Sequence, residues 1–286
     1  TLKSIGKKHS GRPSARPHLI FSDSTSIIYD CLYFYKQIPG ESTGKNLIKL
    51  DETMVSIYNK NNNRQNRICQ AENDRRQIMK VLMLNGSPKA NGNTYTALLE
   101  IGRQLEKEGI EYEIVQMGGK PVRDCIGCNK CTENGCVFTD DEVNAFIAKA
   151  READGFVFGT PVYYAHPSGR ILSFLDRVFY SSSRVFRFKP GAAVAVARRG
   201  GTSASFDCLN KYFGISQMPV VGSTYWNSVH GAVPHEAEQD AEGLQTMRNL
   251  ARNLAWMIKC FDAGRKNGIP LPEAETGNRT NFIRMQ

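Results

Sequence analysis

The sequence predicts an α/β domain built on a doubly wound, five-stranded parallel sheet, and three observations carry that reading. From about residue 79 onward, apolar runs of strand length alternate with stretches of helical period. One of these runs, residues 155–160, is apolar on both sides, as a central parallel strand has to be. The first run opens into a loop of small polar residues and then directly into a helix, and in such sheets ligands sit at the carboxyl ends of the strands.

Val81 to Leu84 is the first strand, bounded by turn residues. Asn85, Gly86, Ser87, Pro88, Asn91, Gly92 and Asn93 then make a loop with almost no bulk. After Thr94 the period becomes helical, with Ala97, Leu98, Ile101 and Leu105 on one face. A helix start leaves backbone N–H groups unpaired and carries the positive end of the dipole, so it favours an anion. Ser87, Lys89, Asn93 and Thr94 are the candidate phosphate contacts, and Gly86 and Gly92 are expected to let the backbone approach the oxygens. The plainer alternative is an ordinary strand-to-helix turn capped by Thr94.

The phosphate can be narrowed. A P-loop would close on Gly-Lys-Ser/Thr, whereas Gly92 is followed by Asn93. The dinucleotide fingerprint is also missing, since Gly86 leads into Ser87 and Pro88. A loop for a terminal monophosphate remains. Gly86-Ser87-Pro88 with Gly92-Asn93-Thr94 resembles the phosphate loop of flavodoxin-like NAD(P)H-dependent FMN reductases and iron-sulfur flavoproteins. The resemblance spans about Met79 to Phe261 and implies FMN as cofactor and the strand order 2-1-3-4-5.

The remaining elements follow in order. Glu111 to Met117 is the second strand, Asp141 to Ala153 a helix, Gly155 to Thr160 the third strand and Ser168 to Tyr180 a helix. Ala192 to Ala197 is the fourth strand, Ser203 to Phe213 a helix, Val220 to Tyr225 the fifth strand and Glu236 to Phe261 a long closing helix. The domain thus covers 79–264, with a polar tail at 265–286.

Two further loops fall where a flavin ring would lie. Thr160 to Gly169 carries Pro161, Val162, Tyr163 and Tyr164, which match the flavoproteins' segment along the isoalloxazine edge. Backbone groups of Pro161 to Tyr164 would meet the polar ring edge while a tyrosine packs on its face. An aromatic loop packing on a neighbouring subunit is the alternative, and it is compatible with the flavin reading. His166 suits a loop or dimer position better than a catalytic base. Arg198, Gly200 and Gly201 follow the fourth strand; the glycines permit close approach, and a cation there would stabilise a reduced, anionic ring. Solvated arginines on a plain turn are the alternative. No protein acid or base is expected to be essential.

Cys125-x2-Cys128-x2-Cys131-x4-Cys136 places four thiols within twelve residues after the second strand. Structural zinc usually draws on two pairs set further apart, and no proline follows Cys136 as in two-cluster ferredoxins. The spacing resembles that of iron-sulfur flavoproteins and implies a [4Fe-4S] cluster. Related reductases have a similar loop followed by two aspartates, here Asp140 and Asp141, without a cluster, so redox-active thiols stay open, as does zinc. Cys31, Cys69, Cys208 and Cys260 are scattered, which is no disulfide framework.

The formal charge is +9 over 286 residues, which invites a nucleic-acid reading. Residues 1–78 hold 13 Lys/Arg against 7 Asp/Glu, leaving 24 against 21 for the remainder. Most of the basicity therefore lies outside the domain, and neither a nucleic-acid partner nor a membrane span is expected. Residues 1–78 lack periodicity and read as a disordered extension or a translated upstream region, because Met79 sits directly before the first strand and Arg75-Arg76 could be encoded by a ribosome-binding sequence. A small interaction module is the alternative. With no apolar signal segment, the cytoplasm is the expected compartment.

The expected function is an FMN-dependent oxidoreductase. NAD(P)H, or ferredoxin where a cluster is present, would reduce the flavin, which passes electrons to a small acceptor: a quinone, a nitro or azo compound, oxygen or free flavin. A non-enzymatic electron carrier or redox sensor is the alternative. The resemblance implies a homodimer or homotetramer.

Overall fold

The computed structural model describes residues 78–278 and 280, so the reading of residues 1–77 lies outside the described residues. Strand β1 (Lys80–Asn85) leads into helix α1 (Asn93–Lys107), then β2 (Glu111–Gln116), α2 (Val143–Glu152), β3 (Gly155–Tyr163), β4 (His166–Pro167) and α3 (Gly169–Ser182). Strand β5 (Gly191–Ala197), α4 (Thr202–Ile215), β6 (Ser228–His230) and α5 (Ala241–Lys266) complete the chain. The sheet runs β2-β1-β3-β5-β6 with every pair on that path parallel, and β4 folds back antiparallel on β3. In order of parallel strands this is the expected 2-1-3-4-5, a flavodoxin-like doubly wound fold.

Both faces of the sheet are covered, which is why β1, β3 and β5 read as nearly unbroken apolar runs. Val81, Met83, Val157 and Val194 pack under α1 and α5 with Leu98, Ile101, Leu250 and Leu254. On the other face Leu82, Leu84, Phe156 and Phe158 meet Phe146, Phe174, Phe179 and Phe213 from α2, α3 and α4. Phe158 and Phe213 stack with ring centres 5.2 Å apart.

Two elements depart from the sequence reading. The fifth strand is Ser228–His230 and not Val220–Tyr225, of which only Val220 makes an isolated bridge to Gly191. Ser223 donates to the Thr246 carbonyl at 2.7 Å, and Asn253 donates to that of Gly222 at 2.9 Å. These bonds draw the segment onto α5, and the chain rejoins the sheet where Ala195 N–H donates to the Asn227 carbonyl at 3.0 Å. The closing helix is likewise divided: Glu236–Gln239 forms a 3-10 turn, and Asp240 then caps α5 by accepting from Gly243 N–H at 2.9 Å. The helix runs on to Lys266, past the expected boundary at 264.

Candidate functional site

The carboxyl ends of β1, β3, β5 and β6 meet the start of α1 around a cleft of about 240 Å3. Of the residues expected there, Ser87, Lys89, Asn93, Thr94, Pro161, Val162, Tyr163 and Arg198 line it. Gly92 precedes α1 in extended backbone, and no side chain caps the helix. The open end of the helix therefore faces the cleft with its dipole uncompensated, an arrangement that suits an anion.

Beneath the cleft lies a network of neutral polar groups. Asn85 donates to Gln116 across the β1–β2 pair, while its side-chain Oδ1 accepts from Ser87 N–H at 3.1 Å. Gln116 donates to the Ser87 carbonyl at 2.7 Å, and Ser87 Oγ accepts from Lys89 N–H at 3.2 Å. Gly86 N–H donates to the Gly159 carbonyl at 2.8 Å. The Gly86 carbonyl accepts from Ser168 Oγ at 3.2 Å, and Ser168 N–H donates to Thr160 Oγ1 at 3.0 Å. The loops after β1 and β3 are thus tied to one another before any ligand arrives.

Several expected residues do other work. A Cβ on Gly86 would lie 2.8 Å from Ile171 and 2.9 Å from the Gly159 carbonyl, so this glycine is required by the packing of β3 and α3. Asn93 lines the cleft, but its amide donates to the Val233 carbonyl at 2.9 Å and accepts from Ala237 N–H at 3.3 Å. It pins the loop after β6. Tyr164 and Ala165 form the positive-φ turn of the β3–β4 hairpin, and Tyr164 is wholly exposed, away from the cleft lining. Gly200 and Gly201 also stay off the lining. Gly201, at φ +93°, packs where a Cβ would come within 2.5 Å of the Ala165 Cα, and so it seats the hairpin.

Sequence reasoning omits one wall altogether: Gly231, Ala232 and Pro234 line the cleft after β6. The signal was available, since the rule that ligands sit at carboxyl ends applies to the last strand as it does to the others. Glu236 holds this loop by accepting from the N–H groups of Ala232 and Val233, and those bonds keep its carboxyl below the usual glutamate range.

The four loop cysteines converge on a second, much smaller cavity of about 10 Å3, lined also by Ile126, Phe138, Arg177 and Tyr180. Burial and then the neighbouring Cys136, Cys128 and Cys125 push the Cys131 thiol up. Arg177, from α3, is 1 % exposed and lies against this loop. Its Nε donates to Cys136 Sγ at 3.3 Å, Nη1 pairs with Asp141, and Nη2 donates to the Phe138 carbonyl at 3.2 Å. Burial opposes its charge, but the bonds to Asp141 and Cys136 more than offset that. Asn144 accepts from Cys136 N–H at 2.9 Å and donates to the Cys136 carbonyl at 2.8 Å. Among the described residues no group of three His, Cys, Asp or Glu side chains is arranged to hold a metal ion, and no helix is long and apolar enough to cross a membrane.

Known proteins match this chain in both sequence and fold. It is 35% identical over 194 residues to an iron-sulfur flavoprotein of Methanocaldococcus jannaschii, covering 63% of this chain and 98% of that one. RosB with a bound 8-demethyl-8-formylriboflavin 5'-phosphate intermediate superposes with a TM-score of 0.52 at 17% identity, over 73% of this chain and 95% of RosB. An NAD(P)H:quinone oxidoreductase of Methanothermobacter marburgensis gives 0.51 at 16% identity, over 62% and 99%. These two likenesses concern the fold. Residues 79–232, more than half of the chain, match the NADPH-dependent FMN reductases, and the chain belongs to that family.

Proposed function

We propose that the protein is an FMN-dependent oxidoreductase that takes electrons from NAD(P)H and passes them to a small acceptor. The observation that carries this reading is the cleft itself, where an uncapped helix start, the Pro161–Tyr163 strand end and Arg198 meet at the carboxyl ends of the sheet. The residues present fit FMN. The start of α1 with Ser87 and Thr94 would hold the phosphate, Pro161 to Tyr163 would border the ring, and Arg198 would stand beside it. Bound there, FMN would supply hydride acceptance and electron donation. The chain's own part is to orient the ring, exclude water from one side and set the local charge.

The cysteine loop supports a second reading, an electron carrier in which a [4Fe-4S] centre stands beside the flavin and ferredoxin is the donor. The donor set fits such a centre, with four thiols and no carboxylate or imidazole on the cavity lining. The cavity admits about one water. The residues between the cysteines, Ile126, Gly127, Asn129 and Lys130, are exposed, so the loop meets solvent on that side. The wholly exposed Tyr164 is consistent with assembly as a homodimer or homotetramer.

Protein purified without oxygen and supplied with FMN tests the first reading. Retention of a yellow cofactor, with rapid NAD(P)H oxidation in the presence of a quinone, is the expected result. Colourless protein would overturn it, and flavin reduction by ferredoxin alone would favour the carrier.

A further inference from the structure

The cysteine loop is held most tightly at Cys136 and by single bonds elsewhere, where Tyr180 donates to Asn129 Oδ1 at 2.9 Å and Arg151 to the Glu133 carbonyl at 2.6 Å. Cys136 is fixed by three hydrogen bonds: Asn144 brackets its N–H and its carbonyl, and the Arg177 guanidinium reaches its sulfur. Gly135, at φ +125°, lies so close to Asn144 that a Cβ would come within 2.4 Å of the amide oxygen, so only glycine lets the Asn144 bonds to Cys136 form. Cys125, Cys128 and Cys131 are half-buried on a stretch whose intervening residues are exposed, turned by positive φ at Gly127 and Asn129. The Arg177 donors are divided between one sulfur, one carboxylate and the carbonyls of Phe138 and Arg123, the last at 3.4 Å. Its charge is desolvated, and among the described residues Asp141 is its one carboxylate partner. A fixed cation that donates to one thiolate withdraws electron density from it, and hydrogen bonds to cluster sulfurs together with net charge set the potential of an iron-sulfur centre.

We propose that Arg177 is the positioning and tuning residue of the cysteine loop. It fixes Cys136 as the anchored ligand, and its N–H···S bond and buried charge raise the reduction potential of the centre, while Asp141 limits that rise. The inference rests on the cluster reading above, and it concerns a one-electron reduction of the centre by an external dye.

The experiment compares wild type, Arg177→Met, Arg177→Lys and Asp141→Asn, each reconstituted anaerobically with iron and sulfide. The readouts are iron and sulfide per chain and the reduced fraction, followed by electron paramagnetic resonance at a series of fixed poises. For Arg177→Met the reduced-to-oxidised ratio at a given poise falls about tenfold, a shift of about 59 mV for one electron. Asp141→Asn moves the ratio the opposite way, and Arg177→Lys lies between Arg177→Met and wild type. A residue that only props the loop would move both variants in one direction, through loss of iron, or neither. Where Arg177→Met does not fold, as judged by loss of FMN retention, the Asp141→Asn shift decides. Iron-loaded variants with the wild-type potential would overturn the inference. Wild type that takes up no iron would overturn the cluster reading instead.

Discussion

The loops over the cleft and the cysteine loop leave the same edge of one sheet, yet they are held by opposite means. The first is braced by many neutral groups, with Asn85, Ser87, Thr160 and Ser168 all buried and each bonded to a neighbouring strand or loop. The second spans from Gln116 to Val143 with no helix or strand of its own, only a bridge between Thr132 and Gly135; Arg177 and Asn144 hold its Cys136 end, and Tyr180, Arg151 and Arg170 each add one bond along it. A neutral network has no group that titrates in the ordinary range and barely responds to pH, although removing one buried member leaves its partners unsatisfied. A single buried cation concentrates the dependence. The difference sets a loop region held by uncharged bonds beside one held largely by a buried charge.

The largest expected effect therefore falls on the weakly held side. Arg177→Met leaves Asp141 without its partner and the Phe138 carbonyl without a donor, a change of about 3–5 kcal/mol when one member of a buried pair is lost. Urea unfolding measures that cost, and hydrogen exchange should place the loosening at residues 123–141 and not at 85–94. Equal loosening in both places would erase the contrast.

Next comes Gly86→Ala on the braced side. The added methyl meets Ile171 and the Gly159 carbonyl below 3 Å, and overpacking of this kind costs about 1–3 kcal/mol. FMN affinity should fall with it, because the shift must open the β1–β3 contact under the cleft. Unchanged stability by thermal unfolding would show that the contact yields easily.

These two positions also show how much was legible. Alternating apolar runs revealed a doubly wound parallel sheet, because burial on both faces writes itself into consecutive residues. The strand order came from the resemblance, and three of the four loops around the cleft from it together with the carboxyl-end rule. The purpose of Gly86 was not legible: a glycine required by packing and one required by a ligand look alike in a string. Arg177 reads as one polar residue on an otherwise apolar helix face, and nothing links it to Cys136, 41 residues away, until the chain folds. The misplaced fifth strand has the same cause. Val220 to Tyr225 has strand composition, but hydrogen bonds from Ser223 and Asn253, both formed with α5, override it.

Asn93→Ala is expected to act more gently. It removes the pins at Val233 and Ala237, releasing the wall of the cleft after β6 without touching the core. Two partly exposed hydrogen bonds are worth about 0.5–1.5 kcal/mol each at most. FMN binding, followed by flavin fluorescence, should weaken about tenfold or less, with the unfolding midpoint nearly unmoved. A large drop in stability would mean that the loop after β6 belongs to the rigid frame.

The smallest effect comes from pH, and it separates the two regions most cleanly. Asp140 accepts from Arg123 at 3.0 Å, and that bond holds its carboxyl below the ordinary aspartate value near 3.8. A lowered carboxyl stabilises the folded loop above the ordinary value and loses that contribution as pH falls through the folded one. Both partners are exposed, so the contribution is slight and screened by salt. Corrected for intrinsic exchange rates, amide protection at 123–141 should therefore decline between about pH 5 and pH 3, while the neutral network beneath the cleft keeps its protection. Asp140→Asn should flatten the decline, because an amide has no proton to gain over that range. A decline that persists in the variant would assign the acid response to another group and remove the electrostatic half of the contrast.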